Sequence, residues 1–299
     1  MKDNFKIDFV GIGAPKCATT WIYECLKEHP EICMSKPKET NFFKKKVARA
    51  EELRSYFSHC KENKIRGEFS PEYFIYEDVA KRLREHNPDM KIIMAIRNPI
   101  ERAYSNYLQG KSIQNKGWVD FKQAIKTEPK IIEYGFYFKN LQNFLHYFFK
   151  EQILVLVLED SYSDPLSFIQ NLYSFLGADN SFIPAVLKTR VSPTVFKLTK
   201  FGKVVHKGIG RPLGRFKMGT KIKKSKIIRK PYLKIAEFYT RNAKKPAIDK
   251  EIISYLNNIY KPDIKKLEKF LPVSSRSACF SLLSRPLEKP APGSSNSRV

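Results

Sequence analysis

Three residue groups in this chain could do chemistry together. Lys16 is followed by Thr19 and Thr20 at the start of a helical pattern, Arg97 is followed eight residues later by Ser105, and Glu39 stands among lysines before a Phe-Phe pair. The first group lies in Phe9-Val10-Gly11-Ile12-Gly13-Ala14-Pro15-Lys16-Cys17-Ala18-Thr19-Thr20-Trp21, an apolar strand that runs through a Gly/Pro turn into a helix. The first backbone N–H groups of a helix have no partner inside it, and the helix dipole adds partial positive charge there. With a full charge from Lys16 and hydroxyls from Thr19 and Thr20, the turn should cradle a phosphate-like anion. The plain alternative is an ordinary strand-to-helix turn with an exposed lysine.

A nucleotide-triphosphate loop of the Walker A type fits poorly. That loop needs glycine before its lysine and Ser or Thr after it to hold magnesium, whereas Pro15 and Cys17 flank Lys16. The later strand Lys91–Ile96 ends in Arg97, where a magnesium-binding aspartate would be wanted. No metal site is expected. From Arg97, Asn98 leads to Pro99, whose fixed φ suits the first turn of a helix. That helix carries Ser105 about two turns beyond Arg97. An arginine at a strand's carboxyl end and a serine on the next helix can grip one phosphate. Ligands of open parallel sheets bind at such strand ends, so two clamps imply a ligand with phosphate at both ends.

Together these clusters resemble the sulfotransferases that use 3′-phosphoadenosine 5′-phosphosulfate (PAPS). The resemblance implies that Lys16, Cys17, Ala18, Thr19, Thr20 and Trp21 hold the 5′-phosphosulfate, with Cys17 and Ala18 standing where many members carry Ser and Gly. It implies that Arg97 and Ser105 hold the 3′-phosphate, in PAPS and in the product PAP. Ser35-Lys36-Pro37-Lys38-Glu39-Thr40-Asn41-Phe42-Phe43 is similar to the segment of heparan-sulfate and related carbohydrate enzymes that holds the catalytic glutamate. Gly67-Glu68-Phe69-Ser70-Pro71-Glu72-Tyr73-Phe74 is similar to their next block. There Phe69 replaces a lysine common in heparan-type members, which weakens the carry-over of heparan specificity. Ile153–Leu158, Glu159-Asp160, Ser163-Asp164-Pro165 and Phe175-Leu176-Gly177 match the later strand and helix. Lys261-Pro262-Asp263-Ile264 with Leu267 looks like the closing helix of bacterial members, so the likeness covers roughly residues 5–271.

The implied reaction moves a neutral SO₃ unit in line from a phosphate to an acceptor, with positioning and charge stabilisation supplying most of the catalysis. Lys16 would stabilise the bridging oxygen as its bond to sulfur breaks. Glu39 would take the acceptor's proton, an effect worth about 10²–10⁴ in rate. The plain reading of Glu39 is a surface carboxylate paired with Lys36 or Lys38, with Glu68 and Glu72 as substitute bases. The acceptor is expected to be a carbohydrate or glycolipid hydroxyl. His29, His59 and His86 read as surface or helix-end residues.

These groups need a frame. Strands are expected at Lys6–Gly13, Lys91–Ile96 and Ile153–Leu158, with a short extended piece from Ile32. Helices are expected at Thr19–His29, Ala48–Phe57, Tyr76–Glu85, Pro99–Gln109, Phe121–Lys126, Phe138–Phe149, Pro165–Leu176, Lys250–Ile259 and Asp263–Phe270. Strand–helix alternation with β-rich apolar runs predicts an α/β, P-loop-like three-layer fold: a central parallel sheet flanked by helices. The aromatic run from Phe136 to Phe149 reads as core, or in part as a stack for adenine.

At 299 residues and 42% hydrophobic, the chain can build one large α/β core or two smaller ones. The five cysteines, Cys17, Cys25, Cys33, Cys60 and Cys279, lack zinc spacing and read as free thiols of a reducing compartment. With no stretch of some 20 apolar residues, no membrane span or leader is expected, and the location is read as cytoplasmic or membrane-peripheral.

The charge is uneven. Sixteen lysines and arginines and no acid fall between Asn180 and Ala236, against a net charge of +25. That segment reads as a basic insertion within a 1–271 domain. It is a lid over donor and acceptor, a docking face for a polyanion or anionic membrane, or a merely solvated surface. Lys244 and Lys245 stand roughly where heparan-type relatives carry a Lys-Gly-Arg loop. Residues 272–299 read as a disordered tail. The rival readings are a P-loop kinase, which would need ATP and magnesium, and a basic nucleic-acid-binding protein. Against the latter, no Cys/His finger or aromatic RNA-binding box is present.

Overall fold

The computed structural model describes residues 5–47, 49–112, 114, 116–188 and 247–271. Five strands, β1 (Phe9–Gly13), β2 (Ile32–Met34), β3 (Ile65–Phe69), β4 (Lys91–Ile96) and β5 (Ile153–Val157), form one sheet in the order β2-β3-β1-β4-β5. Every pairing is parallel. All five residues of β1 and five of the six in β4 are buried, so side chains pointing to either face find cover. That explains why these runs are continuously apolar rather than alternating. The α/β, P-loop-like three-layer architecture with its central parallel sheet is therefore present as expected from sequence.

The order also fixes where a ligand can sit. From β1 the chain moves outward to β2, fills in β3, and then crosses to β4 on the other side of β1. Loops leaving β1 and β4 in opposite senses open a crevice between the carboxyl ends of these neighbours. The Lys16 turn follows β1 and Arg97 follows β4.

The helices are α1 (Thr19–Glu28), α2 (Ala50–Ser55), α3 (Glu77–His86), α4 (Pro99–Ser112), α5 (Phe121–Thr127), α6 (Lys130–Glu133), α7 (Tyr137–Leu145), α8 (Pro165–Leu176) and α9 (Lys250–Phe270). Their ends carry local signals. The Asp120 carboxylate caps α5 through Gln123 N–H at 2.7 Å, and Asp164 caps α8 through Ser167 N–H at 3.0 Å. Gly177 then closes α8 with φ 81°, a conformation that favours glycine.

Boundaries differ from the sequence reading in instructive ways. The first strand begins at Phe9 rather than Lys6, and the helix expected over Ala48–Phe57 is only Ala50–Ser55. The two closing helices are one, running through Pro262. Proline removes an N–H and crowds the preceding turn, but the buried row Ile252, Leu256, Tyr260, Ile264 and Leu267 binds both halves to the body. Next to the proline, buried Asp263 accepts hydrogen bonds from Phe138 N–H at 2.9 Å and Lys139 N–H at 2.8 Å. The helix is thereby fastened to the first turn of α7. Of the aromatic run, Tyr137, Phe144 and Phe148 are core, whereas Phe149 is 70% exposed.

Two glycine–phenylalanine pairs lock β1 to β3. In register, Phe9 faces Gly67 and Gly11 faces Phe69. A Cβ on Gly67 would lie 2.1 Å from the Phe9 ring, and one on Gly11 would lie 2.3 Å from the Phe69 ring. Each ring lies flat over its neighbour's bare backbone. Phe69 is fully buried, so this position serves strand packing.

Candidate active site

At the end of β1 the chain makes a tight turn. Ala14 N–H donates to Ala95 O at 2.7 Å, tying the turn to β4. Lys16 and Ala18 have φ of 72° and 56°, a left-handed geometry that costs a non-glycine residue roughly 1–2 kcal/mol and persists where the surrounding fold imposes it. Ala18 precedes α1 and offers no side-chain cap, so no cap side chain satisfies the first N–H groups of the helix. Thr19 is buried and Thr20 half-buried at this opening turn. Burial, and then the charge of Arg97, lowers the pKa of Lys16 below the ordinary lysine value. The site is thus electropositive and short of water, a setting in which an incoming anion is strongly favoured. Cys17 is buried, and that burial pushes its thiol up to about 12, so it enters the turn as a neutral group. Trp21 is spoken for: its ring N–H donates to Leu187 O at 3.3 Å and its ring stacks on Phe168.

The β4–α4 junction is built with equal care. The Asn98 side chain accepts from Ile100 N–H at 2.9 Å and Glu101 N–H at 3.0 Å, capping α4. Asn98 N–H donates to Glu159 Oε1 at 2.8 Å, and the Tyr137 hydroxyl donates to Arg97 O at 2.8 Å. Arg97 is 9% exposed, and its guanidinium lies at the junction. It reaches Lys16 O through Nη1 at 3.4 Å, pairs with Glu101 through Nη2, and has no partner on its buried Nε. Burial works against its charge, but Tyr162, Glu101 and Glu159 more than offset this and raise its pKa. Ser105 is buried two turns along α4. Arg102, fully buried behind the junction, donates to Ile131 O and keeps Nε and Nη1 without partners. The structure therefore brings Lys16 and Arg97 to one crevice, with Thr19 and Thr20 at the start of α1 and Ser105 two turns along α4.

Glu39 enters from the other side, on the loop after β2. It is half exposed and ion-paired with Lys38, and its charge acts on Lys16. The loop holding it is over-determined. Glu39 and Asn41 have φ of 64° and 52°, and Glu39 N–H donates to Phe69 O at 3.1 Å. Three hydroxyls then catch successive amides: Asn41 N–H donates to Ser70 Oγ at 3.1 Å, Phe42 N–H to Thr40 Oγ1 at 3.2 Å, and Phe43 N–H to Tyr73 Oη at 3.0 Å. Thr40 and Ser70 in turn donate to Glu68, which is fully buried and whose pKa is raised by that burial. Glu68 is thus the keystone of the Glu39 loop rather than a solvent-accessible substitute base. Glu72 is paired with Lys44 at 2.7 Å. Sequence reading missed this role of Glu68, and those of Asn98, Glu101 and Glu159. Glu68 and Glu159 lie in blocks that resembled the family and Asn98 precedes the helix-starting Pro99, but nothing local specified these contacts.

The cysteines need a correction. Cys33 and Cys60 form a disulfide, their Cα atoms 5.8 Å apart, because β2 and the turn after α2 bring together residues 27 apart in sequence. Cys17 and Cys25 are free and buried, and Cys279 lies outside the described residues. The thiol argument for a reducing compartment loses that footing. Among the described residues no helix is long and apolar enough to cross a membrane. Most of the basic 180–236 segment, Lys244, Lys245 and the 272–299 tail also lie outside the described residues.

The chain is similar to mouse heparan sulfate glucosamine 3-O-sulfotransferase 5, at 30% identity over 181 residues, 55% of this chain and 51% of the mouse protein. It is similar to human heparan sulfate glucosamine 3-O-sulfotransferase 6, at 28% over 175 residues, 56% and 51% of the two chains. It thus spans about half the length of the curated relatives it matches. A solved sulfotransferase from Alicyclobacillus acidocaldarius shares the fold, with TM-score 0.56, 23% identity, and 70% of this chain and 92% of that one aligned. The sulfotransferase domain family matches residues 6–270, and the chain belongs to that family.

Proposed function

We propose that this protein transfers the sulfuryl group of PAPS to a hydroxyl of a carbohydrate acceptor and releases PAP. The observation that carries the reading is the meeting of two cationic clamps at neighbouring strand ends, Lys16 with the α1 N-terminus and Arg97 with Ser105. The unpartnered buried Nε of Arg97 and the uncapped start of α1 fit a ligand with phosphates at both ends. Relatives whose names specify heparan sulfate glucosamine support a sugar hydroxyl as the acceptor.

In this reading Glu39 accepts the acceptor's proton as its oxygen forms the bond to sulfur. The bond from sulfur to the bridging phosphate oxygen breaks, and Lys16 meets the charge that develops there. Thr19, Thr20 and the backbone of Cys17 and Ala18 orient the 5′-phosphate. Arg97 and Ser105 fix the other end, so that the sulfuryl group lies in line with the acceptor. The Glu68 network holds Glu39 in register, and Lys38 pairs with its carboxylate. Trp21 contributes by pinning the 185–188 turn to α1.

Calorimetry in EDTA tests the donor: PAP should bind more tightly than 5′-AMP or ATP. A preference for ATP with magnesium would point to a kinase and overturn the reading. Transfer of labelled sulfuryl from PAPS to N-sulfated oligosaccharides tests the acceptor. Glu39→Gln should keep PAP affinity while losing at least about tenfold in turnover; full turnover would place the base elsewhere.

A further inference from the structure

Away from the crevice, the outer flank of β2 carries a half-open depression of about 340 Å³. It is lined by Lys27, Lys36, Lys61, Lys64, His29 and His59, together with β2 itself and the disulfide, and no aspartate or glutamate lines it. Two of these cations are uncommitted. Lys27 pairs with Glu24 at 2.8 Å and Lys64 donates to Pro30 O, whereas Lys36 and Lys61 are exposed and form no ion pair among the described residues. His29 is buried and held by Asp179 O and Glu31 N–H. His59 is exposed, with Nε2 3.6 Å from Cys33 Sγ.

We propose that this pocket binds an anionic group, sulfate or carboxylate, on the acceptor glycan a few sugars away from the hydroxyl that reacts. The proposal rests on the sulfotransferase reading above and adds that the acceptor is a polyanion read on both sides of β2. Two features support it beyond the charge. The Cys33–Cys60 bond ties the segment bearing Lys61 to the strand, so that wall of the pocket is fixed before the ligand arrives, which lowers the ordering cost of binding. Lys36 precedes Glu39 by three residues, which span at most about 10 Å of extended chain, so one glycan can touch both. Like-signed lysines facing a space without carboxylates also repel one another until a counter-charge enters.

The competing explanation is that lysines merely guard an edge strand against pairing with another chain. Guarding requires charge but no ligand. A heparin-derived hexasaccharide, titrated into the full chain saturated with PAP at several salt concentrations, separates the two. Lys36→Ser/Lys61→Ser should weaken its binding roughly tenfold, a decade in Kd being ~1.4 kcal/mol, and should flatten its salt dependence. PAP affinity should stay within about twofold, below 0.5 kcal/mol. In the unmutated chain the hexasaccharide should also raise the pKa of His59, which desolvation and Lys36 hold below the ordinary histidine value; neutral cellohexaose should not. An unchanged Kd and salt slope in the variant, or no hexasaccharide binding by the unmutated chain, overturns the proposal. Binding through the two lysines without any sulfuryl transfer from PAPS would sink the sulfotransferase reading and leave the pocket standing. Transfer with the same kcat/KM in the variant would do the reverse.

Discussion

Arg97→Met asks whether the end of β4 reads a 3′-phosphate. Arg97 is 9% exposed; its guanidinium is already paired with Glu101 and carries one buried N–H without a partner. A phosphate placed there would take up the idle Nε and displace Glu101 from Nη2. Hydrogen bonds to charged groups contribute about 1.5–3 kcal/mol each, so two would give about 3–6 kcal/mol. Giving up the Glu101 pair, whose carboxylate side is 29% exposed, returns at most about 1 kcal/mol. The net of about 2–5 kcal/mol corresponds to a loss of roughly 30-fold to several thousand-fold in PAP affinity. For 5′-AMP, which lacks the 3′-phosphate, the loss should stay below about threefold. Methionine keeps the apolar volume, and Arg97→Met/Glu101→Gln controls for the carboxylate left behind. Calorimetry with both nucleotides, alongside thermal melting, gives the answer. Equal losses for the two, or less than about a fivefold loss for PAP in a folded variant, would refute the reasoning.

Three further outcomes are expected. Glu68→Ala leaves Thr40 and Ser70 without their acceptor; it should lower stability by roughly 1–3 kcal/mol and reduce kcat with PAP affinity intact, while Glu68→Gln restores most of both. Lys16 binds an anion only while protonated, and burial and Arg97 lower its pKa. The alkaline limb of kcat/KM should therefore fall at a pH below that of an ordinary lysine, and Lys16→Arg should remove the limb. The Cys33–Cys60 bond closes a loop of 27 residues, worth about 3–4 kcal/mol by chain entropy. Reduction by dithiothreitol should thus lower Tm by roughly 7–14 °C for a domain of this size, and an unchanged melt would show that the bond does not form in solution.

Much of the site was legible because its signals are local. The strand, Gly/Pro turn and Thr-Thr helix start around Lys16 occupy thirteen consecutive residues. Asn98-Pro99 marks the start of α4, so Ser105 could be placed on it by counting turns. What was hidden depends on partners distant in sequence. Nothing near Cys33 indicates Cys60, because only the pairing of β2 beside β3 brings the two together. Nothing near Glu39 shows that Glu68, Ser70 and Tyr73 will hold its loop. Helix lengths went astray where tertiary contacts overrode local preference: Pro262 looked like a break, yet Asp263 and the buried row of α9 carry the helix through it.

For the proposed sulfotransferase, the ring-over-glycine pairs between β1 and β3 constrain how acceptor choice could be altered. Grafting the lysine that heparan-type members carry at position 69 would put an ammonium group into a slot shaped for a benzene ring, with bare backbone beneath it at Gly11. Each such exchange is tied to its neighbour on β1, so the two sites can change only as a linked pair. A switch of acceptor preference is more accessible from the loops at the crevice rim, which can vary without reopening the sheet.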